Sequence, residues 1–256
     1  MADVLTIERE DAVATVTLNR PKVFNAFNFE LRSALREAVA SLEADKAIRI
    51  VVIKGEGPGF CAGADLSEPL DGSVTQMIVE EYKPFLMGID TSEKIWISSV
   101  HGSAAGIGGA LAMTCDFCIM AEDASIYLAF AAIGLIPDGG ATWQLLRAMG
   151  HRRALQTIVE GRKIPADECL ALGLANRTAP AHEVHGVAHQ WAKQLAKGSP
   201  LAQAAAKRVL KQVAGMDLSQ AITLEADVQG SLAGTQDFKD AVAAFFARQK
   251  PVFQGR

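Results

Sequence analysis

Three short stretches of the chain carry residue types that could do chemistry. Ile133-Gly-Leu-Ile-Pro-Asp-Gly-Gly140 ends a strongly apolar run with a single carboxylate, Asp138. Proline presets φ and glycine accepts positive φ, so Pro137-Asp138-Gly139-Gly140 has the composition of a plain turn. The apolar positions running back through Phe130 and Leu128 to Ile126 also suit a general base whose pKa is raised by burial. The other two stretches are glycine-rich turns, Phe60-Cys-Ala-Gly-Ala-Asp-Leu66 and Ala105-Gly-Ile-Gly-Gly-Ala110. Small residues after a strand let backbone N–H groups converge on an anion, above all at a helix N-terminus. Two such turns could each give one N–H to a developing oxyanion, which is what acyl-group chemistry requires. Neither fits a phosphate loop: the Lys-Ser/Thr pair is absent, and G-x-G-x-x-G from Gly106 fails at Leu111.

Other reactive side chains have plainer readings. Cys115-Asp-Phe-Cys118 matches C-x-x-C, but the apolar Phe117, Ile119 and Met120 place it at a strand rather than at the helix start that activates a thiol. Four cysteines in a chain of this size read as packed free thiols, Cys61 included. His182, His185 and His189 could share a helical face, yet no carboxylate partner stands out, so no metal is expected. His101 reads as a hydrogen-bonding residue, and Asp65 and Asp116 as caps or turn-stabilising groups. Glu80, Glu81 and Asp90 read as a solvated face.

The elements that must position these residues follow from periodicity. Val4 to Glu8, Val13 to Leu18, Arg49 to Lys54, Ile95 to Val100, Asp116 to Met120 and Ser125 to Ala129 read as strands. Asn28 reads as the N-cap of a helix carrying Leu31, Ala34, Leu35, Ala38 and Leu42. Residues 66–90 are mixed, with Pro69, Gly72 and Pro84 expected to interrupt any long helix. Beyond residue 140 the pattern is helical at 141–149, 151–160, 165–171, 182–197, 200–214, 217–230 and 235–247, with Asp217 and Gln220 as a capping pair. Strand, glycine-rich turn and helix recur, which is an α/β pattern.

At 256 residues, half of them hydrophobic, the chain can bury a sizeable core. Its net charge of −4 gives no footprint for nucleic acid or an anionic membrane. The first basic residue is Arg9 and the longest apolar stretch is Ile126 to Pro137, so neither a signal peptide nor a membrane span is expected. The expectation is a soluble, cytoplasmic protein.

Taken in order, the motifs resemble the enoyl-CoA hydratase/isomerase (crotonase) superfamily along essentially the whole chain. The matching stretches are Leu18-Asn-Arg-Pro-Lys22 with Asn25-Ala26, Gly59-Phe-Cys-Ala-Gly-Ala-Asp-Leu66, and His101-Gly-Ser-Ala-Ala-Gly-Ile-Gly-Gly-Ala110 with Cys115-Asp116. Ile133 to Gly140 and the ending Lys250-Pro-Val-Phe253 complete the set. The resemblance implies a crotonase-like spiral of ββα units over residues 1–195 and a C-terminal helical trimerisation region over 196–256. It also implies an acyl-CoA substrate, with coenzyme A entering as the thioester rather than as a cofactor, and a homotrimer or a hexamer built as a dimer of trimers. By position, the backbone N–H groups of Ala64 and Ile107 would form the oxyanion hole; many relatives have glycine where Ile107 stands. The backbone around Val23, Phe24, Asn25, Ala26 and Ala62 would hold the coenzyme A adenine and pantetheine, and Phe245 and Lys250 would reach coenzyme A from a neighbouring subunit.

The two glutamates of family hydratases fall at Ala110 and Phe130, neither able to carry a proton. Adding water needs both an acid and a base, whereas a 1,3-shift of a double bond needs one group to remove and return a proton. Asp138 stands where some family isomerases have their single acid/base, so the expected reaction converts 3-enoyl-CoA to 2-enoyl-CoA. Three alternatives stay open: a hydratase with atypical acid/base groups, a hydrolase or dehalogenase with Asp138 as nucleophile, and an acyl-CoA-binding scaffold without turnover.

Overall fold

The structure is a computed structural model, which describes residues 3–69 and 72–256. Chain order begins with β1 (Leu5–Glu10), β2 (Val13–Leu18), α1 (Phe29–Ala44), β3 (Ile50–Gly55), α2 (Val74–Met77), α3 (Lys83–Thr91), β4 (Ile95–Val100), β5 (Ser103–Ala105) and α4 (Ile107–Thr114). It continues with β6 (Phe117–Ala121), β7 (Ser125–Tyr127), α5 (Ala141–Glu160), β8 (Lys163–Pro165), α6 (Ala166–Ala171), β9 (Arg177–Ala179), α7 (Val184–Leu195), α8 (Pro200–Val213), α9 (Leu218–Ala233) and α10 (Gln236–Phe246). The main sheet has the order β1-β2-β3-β4-β6-β9, antiparallel only between β1 and β2. A second, small sheet has the order β5-β7-β8. Parallel bridges Phe27↔Ala64 and Cys61↔Ala104 extend that small layer toward the start of the chain. Each turn of the chain therefore lays one long strand in the main sheet and one short segment in the small one, which is the expected spiral of ββα units.

Burial explains the order of the layers. Every residue of β4 is buried, as a central parallel strand covered on both faces must be. Its two hydroxyls are satisfied: Ser98 Oγ donates to Ala112 O at 3.0 Å, and Ser99 Oγ lies 2.8 Å from His185 Nδ1. Helix α1 begins where expected, with the Asn28 side chain accepting from the Leu31 N–H at 3.0 Å, and it buries Leu31, Leu35, Ala38, Val39 and Leu42. Burying each leucine of that stripe stabilises the fold by roughly 1.5–3 kcal/mol. Helix α4 is buried from Ile107 to Met113, apolar all round because it crosses the middle of the molecule.

Helix α5 breaks at Gly150 (φ 73°, ψ 169°), so the two segments expected at 141–149 and 151–160 are both present. The Asp217–Gln220 capping box at the start of α9 is formed. Two expectations fail. The strand from Ser125 ends at Tyr127, and Ala129–Ile133 is a 3₁₀ turn instead. Within 66–90, of which residues 70 and 71 lie outside the described residues, Val74–Thr91 is helical throughout. A π turn at Ile78–Tyr82 joins α2 to α3 and leaves Pro84 in the first turn of α3, where its missing N–H costs little.

Buried charge ties the C-terminal helices to the core. Lys207 on α8 donates to Ile89 O at 2.9 Å and Lys94 O at 3.1 Å, and pairs with Asp116 Oδ2 at 2.8 Å. Asp116 also accepts from the Trp96 N–H at 2.9 Å. Burial raises the Asp116 carboxyl even though Lys207 and Lys211 oppose the shift, so the carboxylate depends on its partner. Replacing Lys207 by Met strands that charge, and an unfolding titration should show a loss of about 3 kcal/mol. Adding Asp116→Asn should recover most of it. A loss below about 0.5 kcal/mol for the single variant, the range of an exposed pair, would show that the pair does not anchor α8.

Candidate active site

Two turns that touch only because they are glycine create the centre of the site. Cys61 pairs with the strand before α4: its N–H donates to Ser103 O at 3.1 Å, and the Ala105 N–H donates back to Cys61 O at 2.8 Å. Gly63 (φ +101°) then passes so close to Gly106 (φ +51°) that a Cβ on Gly63 would lie 3.2 Å from Ala105 O. A Cβ on Gly108 would lie 2.6 Å from the Cβ of Cys61. The residues after the two abutting glycines are Ala64 and Ile107. Among the described residues neither N–H donates to another protein group, because Ala64 pairs with Phe27 only through its neighbours and Ile107 is the first residue of α4. The structure thus brings together two free donors, with the positive end of the α4 dipole behind one of them. Ile107 turns its side chain into the core at 2% exposure, so the departure from glycine leaves the N–H in place.

Asp138 sits against the same helix. A Cβ added at Gly139 (φ +60°) would stand 2.5 Å from Ile107 Cδ1, 2.8 Å from Ala110 Cβ and 3.4 Å from Leu86 Cδ1. The turn therefore closes onto the first turn of α4 and onto α3. Asp138 Oδ1 is buried without a hydrogen-bond partner. Burial lifts the Asp138 carboxyl to about 6, partly offset by a hydrogen bond from its own backbone N–H. The apolar run that leads to Asp138 divides: Ile126, Leu128 and Pro137 are buried. Ile133, Leu135 and Ile136 are exposed, and the turn itself packs through Gly139 on Ile107, Ala110 and Leu86.

The two glutamate positions of family hydratases are closed by hydrocarbon. Ala110 Cβ is in the contact that fixes Gly139, so a longer side chain there would meet the Asp138 turn. The Phe130 ring lies against Gly106, 3.8 Å from where its Cβ would be. Asp138 is the carboxylate left beside the two donors. Of the acidic residues of the 66–90 segment, Glu81 pairs with the buried Arg32, Glu80 bonds Gln76 at 3.1 Å, and Asp90 pairs with Lys211 at 2.7 Å. Arg32 also holds Glu68 at 2.7 Å, pinning this segment to α1.

The remaining expected residues have definite places. Ala62 donates its N–H to Phe24 O at 2.9 Å, which brings residues 23–26 and 62 together. Asn25 is fully buried and its side-chain amide is spent on Glu56 O, Gly59 O and Phe60 O, so its side chain stitches the loop rather than facing outward. Ala26 is buried, while Val23 and Phe24 expose apolar faces. Phe245, at 76% exposure on α10, and Lys250 have no hydrogen bond to the turns at Ala64 and Ile107. Asp65 pairs with Arg20 at 3.0 Å and with Ser67, a turn-stabilising role. Cys61 is a packed thiol donating to Asn25 O, and burial pushes it up to about 12. Cys115, Cys118 and Cys169 are also free and buried. The three histidines diverge: His182 is exposed beside Glu183, His189 bonds Glu10, and His185 is half-buried against Ser99 and the ring of His101. His101 bonds Gly57 O at 2.8 Å, a structural contact.

Sequence reasoning missed Tyr82 and Leu86. Tyr82, Phe85, Leu86 and Ile89 form a buried i, i+3, i+4, i+7 stripe that could have been read from the segment, but the two prolines and Gly72 masked it.

A spiral α/β scaffold that sets two unbonded backbone N–H groups after abutting glycines, with a carboxylate turn packed on the same helix, has the parts that enzymes stabilising an oxyanion on an acyl group require. Comparison with known proteins narrows it. The family model described as Enoyl-CoA hydratase/isomerase matches residues 8–256. A probable enoyl-CoA hydratase of Rhodobacter capsulatus is 35% identical over 97% of both chains. The 1,2-epoxyphenylacetyl-CoA isomerase of Escherichia coli is 32% identical over the full length of both. The crystal structure of an enoyl-CoA hydratase from Polaromonas sp. JS666 superposes with a TM-score of 0.92 at 31% identity, covering 98% of this chain and 99% of that one. The chain belongs to the enoyl-CoA hydratase/isomerase family, within the crotonase superfamily. Among the described residues no helix is long and apolar enough to cross a membrane.

Two variants probe the geometry. A carboxyl whose folded pKa is raised binds its proton more tightly in the native state, so its ionisation costs stability as pH rises through about 6. Asp138→Asn should therefore be more stable than wild type at pH 8, on the order of 1–2 kcal/mol once screening at the open side of the site is allowed for. The gap should close toward pH 4; a gap independent of pH would show that Asp138 is not desolvated. Gly139→Ala must accept a left-handed φ and two close contacts, and thermal unfolding should register a loss of about 1–3 kcal/mol.

Proposed function

We propose that this acyl-CoA enzyme moves a double bond, converting a 3-enoyl-CoA to the conjugated 2-enoyl-CoA with Asp138 as its one acid/base. The observation that carries the reading is the half-buried carboxylate of Asp138, its Oδ1 without a partner, on the turn that packs on α4 near the unbonded N–H groups of Ala64 and Ile107, with Ala110 and Phe130 at the other acid/base positions. The names of the relatives include both hydratase and isomerase, so they do not choose between the reactions. Site chemistry does favour one.

In this reading the Asp138 carboxylate takes a proton from C2. The electron pair moves onto the thioester oxygen, which the Ala64 and Ile107 N–H groups hold as an enolate. The protonated Asp138 then delivers the same proton to C4, the electrons return, and the double bond stands between C2 and C3. No proton is gained or lost overall. A carboxyl near 6 suits both halves, being mostly ionised at neutral pH and a competent acid once protonated. Coenzyme A takes part as the thioester, and no other cofactor is invoked. Val23 and Phe24 offer apolar faces to its pantetheine or adenine.

The exposed Leu218, Ile222, Phe238, Val242, Phe245 and Phe246 on α9 and α10 support the homotrimer, or hexamer of two trimers, in which Phe245 and Lys250 would meet a neighbour's coenzyme A. The protein is read as acting in the cytoplasm.

Following 3-enoyl-CoA conversion by the absorbance of the conjugated product tests the reading. Asp138→Asn should lower kcat by a factor on the order of 10²–10⁴. For wild type, kcat/KM should rise with pH and level off above about 6, since the base form is required. Unchanged turnover in the variant would remove Asp138 from the mechanism. A covalent acyl adduct on Asp138, seen by mass spectrometry during turnover, would make it a nucleophile instead.

A further inference from the structure

Arg32 is buried, at 6% exposure, yet the chemistry above does not use it. Its guanidinium reaches three separate segments. Nη1 donates to Phe27 O at 3.1 Å and to Glu68 Oε2 at 2.7 Å, and Nε donates to Glu81 in the π turn before α3. Glu68 uses its other oxygen to accept from the Phe29 N–H at 2.7 Å, where α1 begins. A planar fork with fixed donor directions can hold three acceptors in one arrangement, which a flexible ammonium does not.

The segments it joins are walls of the site. Phe27 pairs with Ala64: its N–H donates to Gly63 O at 2.7 Å, and its carbonyl accepts from the Asp65 N–H at 3.0 Å. In a planar trans peptide the C=O and N–H point opposite ways, so the bond at Gly63 O turns the Ala64 N–H away from Phe27. Phe27 thus sets the direction of that donor, and Arg32 holds the Phe27 carbonyl. The Phe27 ring packs on the helical segment, 5.8 Å from Phe85 and 6.4 Å from Tyr82 between centroids. Leu86, the next residue after Phe85, is in the contact that a Cβ on Gly139 would meet. One cation therefore links the residue that orients the Ala64 donor to the helix on which the Asp138 turn rests.

Stability alone is a poor reason for this cluster. Taking a guanidinium and two carboxylates out of water offsets most of their attraction, and hydrocarbon of similar volume often serves as well. We propose that Arg32 is a positioning residue, which keeps the Ala64 donor and the α3 wall of the Asp138 turn in register through Phe27, Glu68 and Glu81. It touches no reacting atom. Its effect on turnover rests on the double-bond reading above; its effect on the two walls does not.

Two variants test the assignment. Arg32→Lys keeps the charge and loses the fork, and Glu81→Ala removes one arm from the outer, partly exposed side. Both are assayed with 3-enoyl-CoA at a temperature where circular dichroism shows a fully folded chain, and both are followed by backbone amide exchange with mass spectrometry. Each should lower kcat by a factor on the order of 10–10², the effect of an ångström-scale misplacement, with affinity for free coenzyme A unchanged. Exchange should accelerate together in residues 60–66 and 78–91, and stay as in wild type in 95–100. Wild-type kcat in both folded variants, a matching loss of coenzyme A affinity, or faster exchange in 78–91 alone would each overturn the assignment. A wild type inactive on 3-enoyl-CoA would overturn the double-bond reading alone, and the exchange of the two walls would still decide for or against Arg32.

Discussion

The approach of two backbone turns, Gly63 on one side and Gly106 on the other, is the constraint from which the rest of the site follows. A Cβ at Gly63 would press on Ala105 O, and both glycines occupy positive φ. Only residues without a side chain let the chains come this near, and this approach puts Ala64 and Ile107, the next residues along, beside the same contact. The parallel pairing of Cys61 with Ala104 sets the spacing, and Cys61 fills the space that Gly108 leaves. The thiol is thereby a packing group, raised by burial far from reactivity.

Around that contact the protein keeps polar groups unsatisfied that a fold built only for stability would pair or remove. Asp138 Oδ1 and the Tyr82 hydroxyl are both buried and both unpartnered. Each costs stability on the order of 1–3 kcal/mol in the free protein. The Asp138 turn is clamped by Ile107, Ala110 and Leu86, and α3 is held to α1 by Arg32 through Glu68 and Glu81. Ala110 and Phe130 are part of the wall against which the turn and Gly106 rest.

The C-terminal helices obey a different logic. Their attachment to the core runs through charged side chains reaching carbonyls: Lys207 to Ile89 and Lys94, and Arg49 to Ala196 and Phe253. Their outward faces are apolar and open. Helices held by a few buried polar contacts, with large aromatic residues facing out, have the composition of a surface meant to be covered.

Much of this was legible in the sequence because it rests on local rules. Period-two and period-3.6 patterns located the strands and helices, Asn28 and Asp217 announced their caps, and Gly150 broke α5 where the pattern broke. The two glycine turns and Asp138 were visible as chemistry because residue type and order are carried by the chain itself. What only the tertiary structure decided depends on distance between remote segments. The apolar residues Ile133, Leu135 and Ile136 go to the surface, while the Asp138 turn packs through Gly139 on Ile107, Ala110 and Leu86, which lie 28 to 52 positions from Asp138 along the chain. The helix across Pro84 formed despite its proline because a π turn absorbed the register change, and only then did Tyr82 join the buried stripe. Local sequence fixes which conformations are cheap; which polar atoms end buried and unpaired is settled by the packing of the whole.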